Sequence, residues 1–369
     1  MEEIFGNVLQ ISWQHVVMWI IGGILIYLAI KKDMEPSLLL PMGFGAILVN
    51  IPLSGAVTQG AEVGVIDLLF SAGIANELFP LLLFIGIGAM IDFGPLLSNP
   101  KLMLFGAAAQ FGIFLTLSLA VLIGFDIKDA ASIAIIGAAD GPTSIFVANH
   151  FHTKYMSAII VAAYSYMALV PIVQPPVIKL MTTKKERMIR MPYNPKKVSK
   201  LTKILFPIVI TVVTGIVSPK SVSLIGFLMF GNLIRECGVL DNLSETAQKS
   251  LANLITILLG ITIASKMQAK DFLQIQTLMI IGLGLVAFIF DTIGGVFFAK
   301  VLNLFLKNKI NPMIGAAGIS AFPMSARVVH KMGLAEDKQN FLLMHSTGVN
   351  VSGQIASVIA GGLILNILG

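Results

Sequence analysis

The sequence places a single carboxylate inside a motif that occurs twice in the chain. Residues 137–144 read GAADGPTS and residues 315–322 read GAAGISAF, so Gly318 stands where the first copy has Asp140. Mostly apolar residues flank Asp140 on both sides, and a charge at that depth in a membrane is costly and usually functional. Because the first copy adds two hydroxyl groups to its carboxylate, it predicts a site for Na⁺ or H⁺ rather than for a soft metal.

The second copy supplies amide, hydroxyl and guanidinium groups instead of an acid. Asn311–Arg327 reads NPMIGAAGISAFPMSAR, in which Pro323 is expected to break the helix and Ser320 offers a hydroxyl oxygen. A buried guanidinium at Arg327 would pair with a carboxylate of the protein or of a substrate. Structural alternatives stay open: a Pro-kinked packing helix for the segments of Asp140 and Ser320, with the hydroxyl groups bonded to their own backbone, and a helix-end arginine that reaches the membrane surface for Arg327.

Further polar groups lie in otherwise apolar runs. Tyr164 and Tyr166 occur in AAYSYMALVP, where a buried hydroxyl needs a partner and could donate a proton, although most membrane tyrosines are interface anchors. Asn350 lies in HSTGVNVSGQ and could offer its carbonyl to an ion or bond between helices. Four other acids are interpreted as charges at helix ends, with a deeper position left open for the first and last: Asp67, Asp92, Asp126 and Asp291.

The composition requires a membrane. Of 369 residues, 56% are hydrophobic and 12% are charged, and the mean hydropathy is +0.89, whereas a soluble chain carries about a quarter charged residues. The MEEIFGN terminus lacks a basic region, so Val16–Ile30 is predicted to be the first transmembrane helix rather than a signal peptide. We therefore predict an all-α polytopic membrane protein with roughly ten membrane segments. Five uncharged runs are long enough to span: Pro36–Ala61, Leu102–Phe125, Tyr155–Ile178, Phe272–Phe290 and Phe341–Gly369.

Two halves of the chain resemble each other on either side of a basic loop at 182–203. The two GAA motifs lie 178 residues apart, and similar Gly-bearing runs at Pro80–Leu97 and Leu254–Phe272 precede them. We predict one transmembrane domain over 1–369 with two structural repeats, about 78–181 and about 251–369, in an inverted arrangement. Their discontinuous helices are expected to meet near the membrane midplane. Chance likeness between Gly/Ala-rich helices is the alternative.

The distribution of basic residues predicts the orientation. The 182–203 loop holds eight lysines and arginines against one acid, so the positive-inside rule places it in the cytoplasm, and Lys31 and Lys32 suggest the same side. An even number of crossings must then separate Lys31 from Lys184, yet five candidates lie between them. Either at least one of them does not cross, or an uncounted segment such as Val65–Ala75 also enters the membrane. The 130–149 segment is the natural candidate for not crossing, because the Gly-Pro pair after Asp140 is expected to unwind the helix and free backbone carbonyls.

Four segments together resemble the β subunit of the sodium-translocating decarboxylases, which act on oxaloacetate, glutaconyl-CoA, methylmalonyl-CoA or malonate. They are GAADGPTSIF at 137–146, AAYSYMALVPIVQPP at 162–176, NPMIGAAGISAFPMSAR at 311–327 and the segment at 348–353. The resemblance covers essentially the whole chain. It implies that a carboxyltransferase α subunit loads biotin on a carrier domain, and that the membrane subunit decarboxylates the carboxybiotin, consumes a proton and exports Na⁺.

The resemblance also implies partners and a location. The chain has no Met-Lys-Met biotinylation motif, so carboxybiotin is expected to arrive in trans on the partner. A small γ membrane subunit, a β homo-oligomer and a bacterial or archaeal inner membrane are implied as well, and the high content of basic residues is not taken as a sign of nucleic-acid binding.

The resemblance assigns roles to seven residues. The essential acid falls on Asp140 and the functional tyrosine on Tyr166. Asp140 and Asn350 are expected to bind Na⁺, and Ser320, with Tyr166, to serve a second ion or the proton. Arg327 is expected to hold the carboxybiotin carboxylate. The full implied sodium-binding set is Asp140, Asn311, Gly315, Ser320 and Asn350.

Two rival functions remain at this point. A secondary Na⁺/H⁺ antiporter or Na⁺-coupled anion transporter would fit the composition and the buried acid equally well, and only dependence on a biotin carrier separates it. A non-transporting scaffold for a decarboxylase complex would leave Asp140 unexplained. The sequence has no G-x-x-x-x-G-K-[ST] loop, which argues against ATP hydrolysis.

Overall fold

Helices make up the regular structure of the protein. The computed structural model describes residues 9–59, 62–193 and 197–369, and Lys196 of the basic loop lies outside them. Within these three ranges no β-strand forms, and one isolated bridge joins Gln59 to Glu62. The predicted all-α class is therefore confirmed.

Fifteen longer helices of the described residues carry labels here. Those of the amino-terminal half are α1 (Trp13–Lys32), α2 (Pro36–Val49), α3 (Val65–Gly73), α4 (Leu78–Met90), α5 (Met103–Ala109), α6 (Phe111–Ile123), α7 (Ile127–Ala134), α8 (Gly141–His150) and α9 (Met156–Met181). Those of the carboxy-terminal half are α10 (Lys200–Val217), α11 (Val222–Glu236), α12 (Ala252–Ile263), α13 (Ile275–Phe305), α14 (Met324–Glu336) and α15 (Leu343–Leu368). Short helical segments connect them: Gly94–Ser98, Pro100–Leu102, Ile135–Ala138, Lys184–Arg187, Pro219–Ser221, Asp241–Thr246, Ala247–Leu251, Ala264–Lys266, Ala269–Phe272 and Pro312–Gly318.

Seven helical stretches of the described chain are long and apolar enough to cross a membrane. They are Trp13–Lys32, Pro100–Ile123, Met156–Met181, Lys200–Val217, Asp241–Lys266, Ile275–Phe305 and Leu343–Leu368. The pair α3 and α4 forms an eighth, bent by 63°. The predicted first transmembrane helix lies within α1. The estimate of roughly ten membrane segments, in which shorter runs were counted as possible half-helices or re-entrant segments, stays a prediction.

The predicted span at Pro36–Ala61 was wrong in length. Helix α2 ends at Val49 after 14 residues, because Asn50 turns the chain away. Its side-chain amide donates to the carbonyls of Ala46 and Met267, at 2.8 Å each, and its oxygen accepts from the Ala269 N–H at 2.7 Å.

The segment from α7 to α8 forms a hairpin. The Thr153 hydroxyl, just beyond α8, donates to the Asp129 carboxylate in the first turn of α7, and the Lys128 ammonium lies 6.0 Å from the centre of the Phe151 ring. Both ends of this segment thus lie at the same end of the helix bundle. The expectation that 130–149 does not cross fits this arrangement, since four helical segments (α2, the α3–α4 pair, Pro100–Ile123 and α9) remain between Lys31 and Lys184.

A second hairpin runs from Pro312 to the end of α14. The Asn311 amide donates to the Arg187 carbonyl at 2.8 Å, and the Asn340 amide, beyond α14, donates to the same carbonyl at 2.8 Å. Its ends lie near the start of α15, where His345 approaches the Met191 carbonyl. The first hairpin ends near the other end of α15, because Lys220 lies 2.9 Å from the Leu365 carbonyl and 3.4 Å from His150.

The two halves pack reciprocally. Helix α4 lies along α11, and α12 lies along α2, so each half contributes one helix to each contact. The repeat boundaries at 78–181 and 251–369 stay a prediction.

Ion pairs tether the basic loop to the end of the second hairpin. Arg187 lies 2.6 Å from Glu336, and Arg190 lies 2.5 Å from Asp337. The hydrogen bond from Arg190 holds the pKa of the Asp337 carboxyl below its usual range. Part of the positive charge of this loop is therefore neutralised within the chain.

Candidate sodium and carboxylate site

The chain breaks immediately before Asp140. After the short helix Ile135–Ala138, Ala139 adopts a left-handed conformation with φ of 50°, and Asp140 caps α8 by accepting from the Thr143 N–H at 3.3 Å. Pro142 lies in the first turn of α8, where a missing N–H costs nothing. The prediction that the Gly-Pro pair unwinds the helix after Asp140 was wrong: both residues begin the new helix.

The Asp140 carboxylate lies in a shell of neutral donors. The side chain is 3% exposed. One oxygen, Oδ2, accepts hydrogen bonds from the Thr143 hydroxyl at 2.7 Å, the Ser357 hydroxyl at 3.0 Å and the Gln354 amide at 3.2 Å. No lysine, arginine or histidine of the described chain forms an ion pair with it. A buried carboxylate without a fixed counter-ion needs a bound cation or a proton.

The tips of the two hairpins are hydrogen-bonded to each other. The Ser320 N–H donates to the Ala138 carbonyl at 3.0 Å, and the Ser320 hydroxyl donates to the Gly353 carbonyl of α15, also at 3.0 Å. Beside them, the Asn350 amide donates to the Ile319 carbonyl at 2.7 Å. The Asn350 side-chain oxygen is buried and accepts no hydrogen bond from the described residues, so it is available to a cation.

A cavity of about 300 Å³ opens beside the hairpin tips, a volume at the lower end of small-molecule sites. Its wall includes Asp140, Ser320, Gln354 and Arg327. Arg327 is exposed to the cavity, and its guanidinium has no hydrogen-bond or ion-pair partner in the described part of the chain. A guanidinium in that condition can receive a planar carboxylate.

Glu35, in the turn between α1 and α2, lines the same cavity. Burial raises the pKa of this carboxyl, against the opposing influence of the Arg327 guanidinium. The cavity therefore extends from the hairpin tips to the turn that follows Lys31 and Lys32.

A family model described as "Na+-transporting oxaloacetate decarboxylase beta subunit" matches residues 14–368. The chain belongs to this family. The glutaconyl-CoA decarboxylase subunit beta of Acidaminococcus fermentans is 50% identical, over 97% of this chain and 94% of the relative. The methylmalonyl-CoA decarboxylase subunit beta of Veillonella parvula is also 50% identical, over 95% and 92%, and the oxaloacetate decarboxylase beta chain of Haemophilus ducreyi is 44% identical, over 97% and 96%. The resemblance inferred from the motifs is confirmed.

The two tyrosines of α9 lie in different surroundings. Tyr166, on which the family's functional tyrosine falls, donates its hydroxyl hydrogen bond to the Ile281 carbonyl of α13, and its ring stacks on Phe288 with centroids 6.3 Å apart. Tyr164 is the tyrosine that packs against the Asp140 turn. A Cβ atom at Gly141 would lie 2.3 Å from the Tyr164 ring, and the buried Tyr164 hydroxyl has no partner among the described residues.

Two of the sodium ligands that the family resemblance implies have other contacts. Asn311 lies at the base of the second hairpin, where its amide donates to the carbonyls of Arg187 and Ile189 and its oxygen accepts from the Met313 N–H. Gly315 packs against α13, since a Cβ atom there would lie 2.0 Å from the Gly295 carbonyl oxygen. Their assignment as Na⁺ ligands stays a prediction, whereas Asp140, Ser320 and Arg327 do share one cavity wall.

Sequence reasoning did not select three buried polar residues of this region. Gln354 and Ser357 both contact Asp140, and they lie one helical turn apart in an uncharged helix, a spacing that could have revealed them. Gln174 of α9 makes the corresponding contact to the second hairpin, through the Ala316 carbonyl at 2.7 Å and the Ser325 hydroxyl at 2.8 Å.

Of the two positions considered for Asp291, a helix end or a deeper one, the structure shows the deeper one. The predicted apolar span ended at Phe290, but α13 continues to Phe305 and buries Asp291 completely near its middle.

Proposed function

We propose that this membrane subunit of a sodium-transporting decarboxylase decarboxylates carboxybiotin delivered by a partner and uses the reaction to export Na⁺. Family membership supports the assignment to a sodium-transporting decarboxylase. The chemistry of the cavity supports decarboxylation, in this subunit, of carboxybiotin that a partner delivers. The observation that carries the proposal is Asp140: a carboxylate that is buried, has no counter-ion among the described residues, and lies where two hairpin tips meet, on the wall of a cavity that also presents Arg327.

The Na⁺ site is proposed to use Asp140 and Asn350. The three donors to Oδ2 hold the carboxylate in place, while Oδ1 accepts a single long hydrogen bond from the Thr143 N–H. That oxygen, the unpaired Asn350 oxygen and the carbonyls released at the two breaks form a set of hard ligands suited to Na⁺. Ser320 is proposed to serve a second ion or the proton.

The substrate carboxylate is proposed to bind at Arg327. The N–C bond of carboxybiotin then breaks, CO₂ leaves, and the ureido nitrogen takes up one proton, which is general acid catalysis if a protein group delivers it. Tyr166 is proposed as the group that delivers this proton. The bound carboxylate would neutralise Arg327 during the reaction, and its loss as CO₂ changes the charge of the cavity in every cycle.

Export requires that the site face each side of the membrane in turn. We propose that the two halves are inverted repeats, supported by their reciprocal packing and by hairpins whose ends lie at opposite ends of α15, and that they move against each other. The basic 182–203 loop is proposed to be cytoplasmic. A biotin-carrying α subunit, a small γ subunit and further copies of this chain are proposed as partners, from the family resemblance.

The test uses the assembled complex in liposomes, with decarboxylation and ²²Na⁺ uptake measured together. Asp140→Asn keeps the size of the side chain but removes its charge, so both activities are expected to fall at least about 100-fold, in line with the loss of a buried charge that binds the transported ion. Wild-type rates in this variant would refute the sodium site.

Inhibition by avidin distinguishes the proposed function from that of a secondary transporter without enzymatic activity. Avidin is expected to stop both activities in the wild-type complex because it sequesters the biotin carrier, whereas a Na⁺/H⁺ antiporter would continue to exchange ions.

A further inference from the structure

A second carboxyl group, Asp291 of α13, is completely buried and has no part in the site above. Its Oδ1 atom accepts hydrogen bonds from the N–H groups of Gly112 and Ile113, at 2.5 and 3.2 Å. Its Oδ2 atom is buried and has no hydrogen-bond partner within the described residues. Half of this carboxyl group is therefore fixed, and the other half is unpaired in an apolar interior.

The fixed half depends on a break between α5 and α6. Helix α5 ends at Ala109, and Gln110 separates it from α6, so N–H groups in the first turn of α6 can bind an acceptor outside the helix. The Ile113 N–H is shared between Asp291 and the Gln110 carbonyl, at 3.2 Å each. Helix α13 approaches this break closely, because a Cβ atom at Gly112 would lie 2.2 Å from the Ala287 carbonyl oxygen. Two N–H donors at a helix N-terminus are a site that stabilises an ionised carboxylate.

The unpaired half lies against the first hairpin. A Cβ atom at Gly137 would lie 2.8 Å from Asp291 Oδ2, and Gly137 precedes Asp140 by three residues. An ionised oxygen there would face apolar groups without compensation, at a cost of several kcal/mol, whereas a proton on Oδ2 removes the charge. The two oxygens thus favour opposite charge states of the same group.

No charged side chain compensates Asp291 from the helices packed against it. Helices α5 and α6 and the segments Ile135–Ala138 and Pro312–Gly318 contain no acid, base or histidine. Helix α9 contributes Lys179 near its end and the phenols of Tyr164 and Tyr166, and α13 itself contributes Lys300, which donates to the Met181 carbonyl. Two further elements that contact α13 carry charges, Lys128 and Asp129 on α7 and Lys270 and Asp271 on Ala269–Phe272, but none of the described residues forms an ion pair with Asp291. A cation at Asp291 must therefore come from solution.

We propose that Asp291 is a proton-binding residue that gains and loses a proton during each transport cycle. A proton fits better than Na⁺ because one oxygen suffices to bind it, while Na⁺ needs several, and the groups beside Oδ2, Gly137 and Ala287, carry no side-chain oxygen. Loss of the proton leaves a charge against the first hairpin, so the state of Asp291 and the position of Asp140 are coupled through Gly137. This inference rests on the proposed function in one respect, because its test measures the decarboxylation and Na⁺ uptake that the proposed function assigns to the complex.

The test compares Asp291→Asn with Asp291→Glu in the assembled complex, measuring the pH dependence of decarboxylation and ²²Na⁺ uptake. Asparagine keeps the size and the acceptor for Gly112 and Ile113, so a purely structural cap tolerates Asn better than the longer Glu. If Asp291 instead gains and loses a proton, Glu should be tolerated better than Asn, because only Glu keeps a carboxyl group. We expect Asp291→Asn to lose at least about 10-fold in both rates and to flatten the pH profile, and Asp291→Glu to recover part of both.

Asp126→Asn is the matched control, because Asp126 also caps a helix through a backbone N–H, that of Lys128 at 3.0 Å, but is not buried. Its rates are expected to stay within about two-fold of wild type. Asp291→Asn with a wild-type rate and pH profile would overturn the proposal. So would failure of that variant to assemble, which would show a structural need for the ionised group. A raised Na⁺ requirement at an unchanged pH profile would make Asp291 a Na⁺ ligand instead. Absence of carboxybiotin turnover in the wild-type complex would refute the proposed function, not this inference.

Discussion

Replacement of Gly295 by alanine tests whether the close packing of α13 on the second hairpin sets the geometry of the site. A Cβ atom at Gly295 would lie 2.0 Å from the Gly315 carbonyl oxygen, and a Cβ atom at Gly315 would lie equally close to the Gly295 oxygen. Both obstacles are backbone atoms and cannot rotate away. Because non-bonded contacts begin near 3.0 Å, the hairpin must retreat by about 1 Å, and such overpacking costs about 1–3 kcal/mol.

The retreat reaches the hairpin tip five residues later. The Ser320 N–H lies 3.0 Å from the Ala138 carbonyl, and an added displacement of about 1 Å exceeds hydrogen-bond range. Loss of that bond adds about 1 kcal/mol, so Gly295→Ala should destabilise the protein by about 2–4 kcal/mol. Decarboxylation should fall at least about 10-fold, since small misplacements of reacting groups are costly.

Gly282→Ala is the matched control on the same helix, because no described atom outside the neighbouring backbone of that helix lies within 4 Å of the Cβ position there. It should leave stability unchanged or raise it by up to about 1 kcal/mol. Thermal unfolding of the detergent-solubilised protein and Na⁺-dependent decarboxylation of the complex measure the two effects. The reasoning is refuted if Gly295→Ala matches Gly282→Ala in both assays.

Two further predictions concern side chains of the site. Tyr166→Phe should lower decarboxylation about 100-fold if its hydroxyl delivers the proton. Loss of the Ile281 contact should cost this variant at most about 1.5 kcal/mol of stability. Tyr164→Phe should keep wild-type activity and raise thermal stability, because it removes a buried hydroxyl that has no partner among the described residues. Equal activity of the two variants would remove the special role of Tyr166. Arg327→Gln should raise the KM for carboxybiotin at least about 10-fold, and Arg327→Lys should recover only part of this because lysine cannot form the bidentate pair. Full recovery with lysine would contradict the bidentate pair, and an unchanged KM in Arg327→Gln would contradict carboxylate binding.

The sequence predicted the class of the protein and part of the site because those depend on local pattern. Uncharged runs of spanning length indicate transmembrane helices, and Asp140 was evident because a charge interrupts such a run. The position of the break was missed, since a Gly-Pro pair is equally compatible with the first turn of a helix. Gln354 and Ser357 were missed, and no choice was possible between the two positions considered for Asp291, because the importance of these residues depends on which helix faces them. Residues more than 175 positions away supply those contacts.

The two opposed hairpins also determine where the membrane voltage acts. The cavity reaches Asp140 from the side of Glu35, and the hairpin tips beside Asp140 are joined by the hydrogen bond from the Ser320 N–H to the Ala138 carbonyl. An electric field falls mainly across the least conducting layer, so in the proposed cycle the potential is concentrated over the hairpin tips instead of the full bilayer. Each Na⁺ that binds at Asp140 would then do most of its electrical work, about 2.3 kcal/mol per 100 mV, while passing these tips, and a small displacement of the tips would be sufficient to charge the membrane.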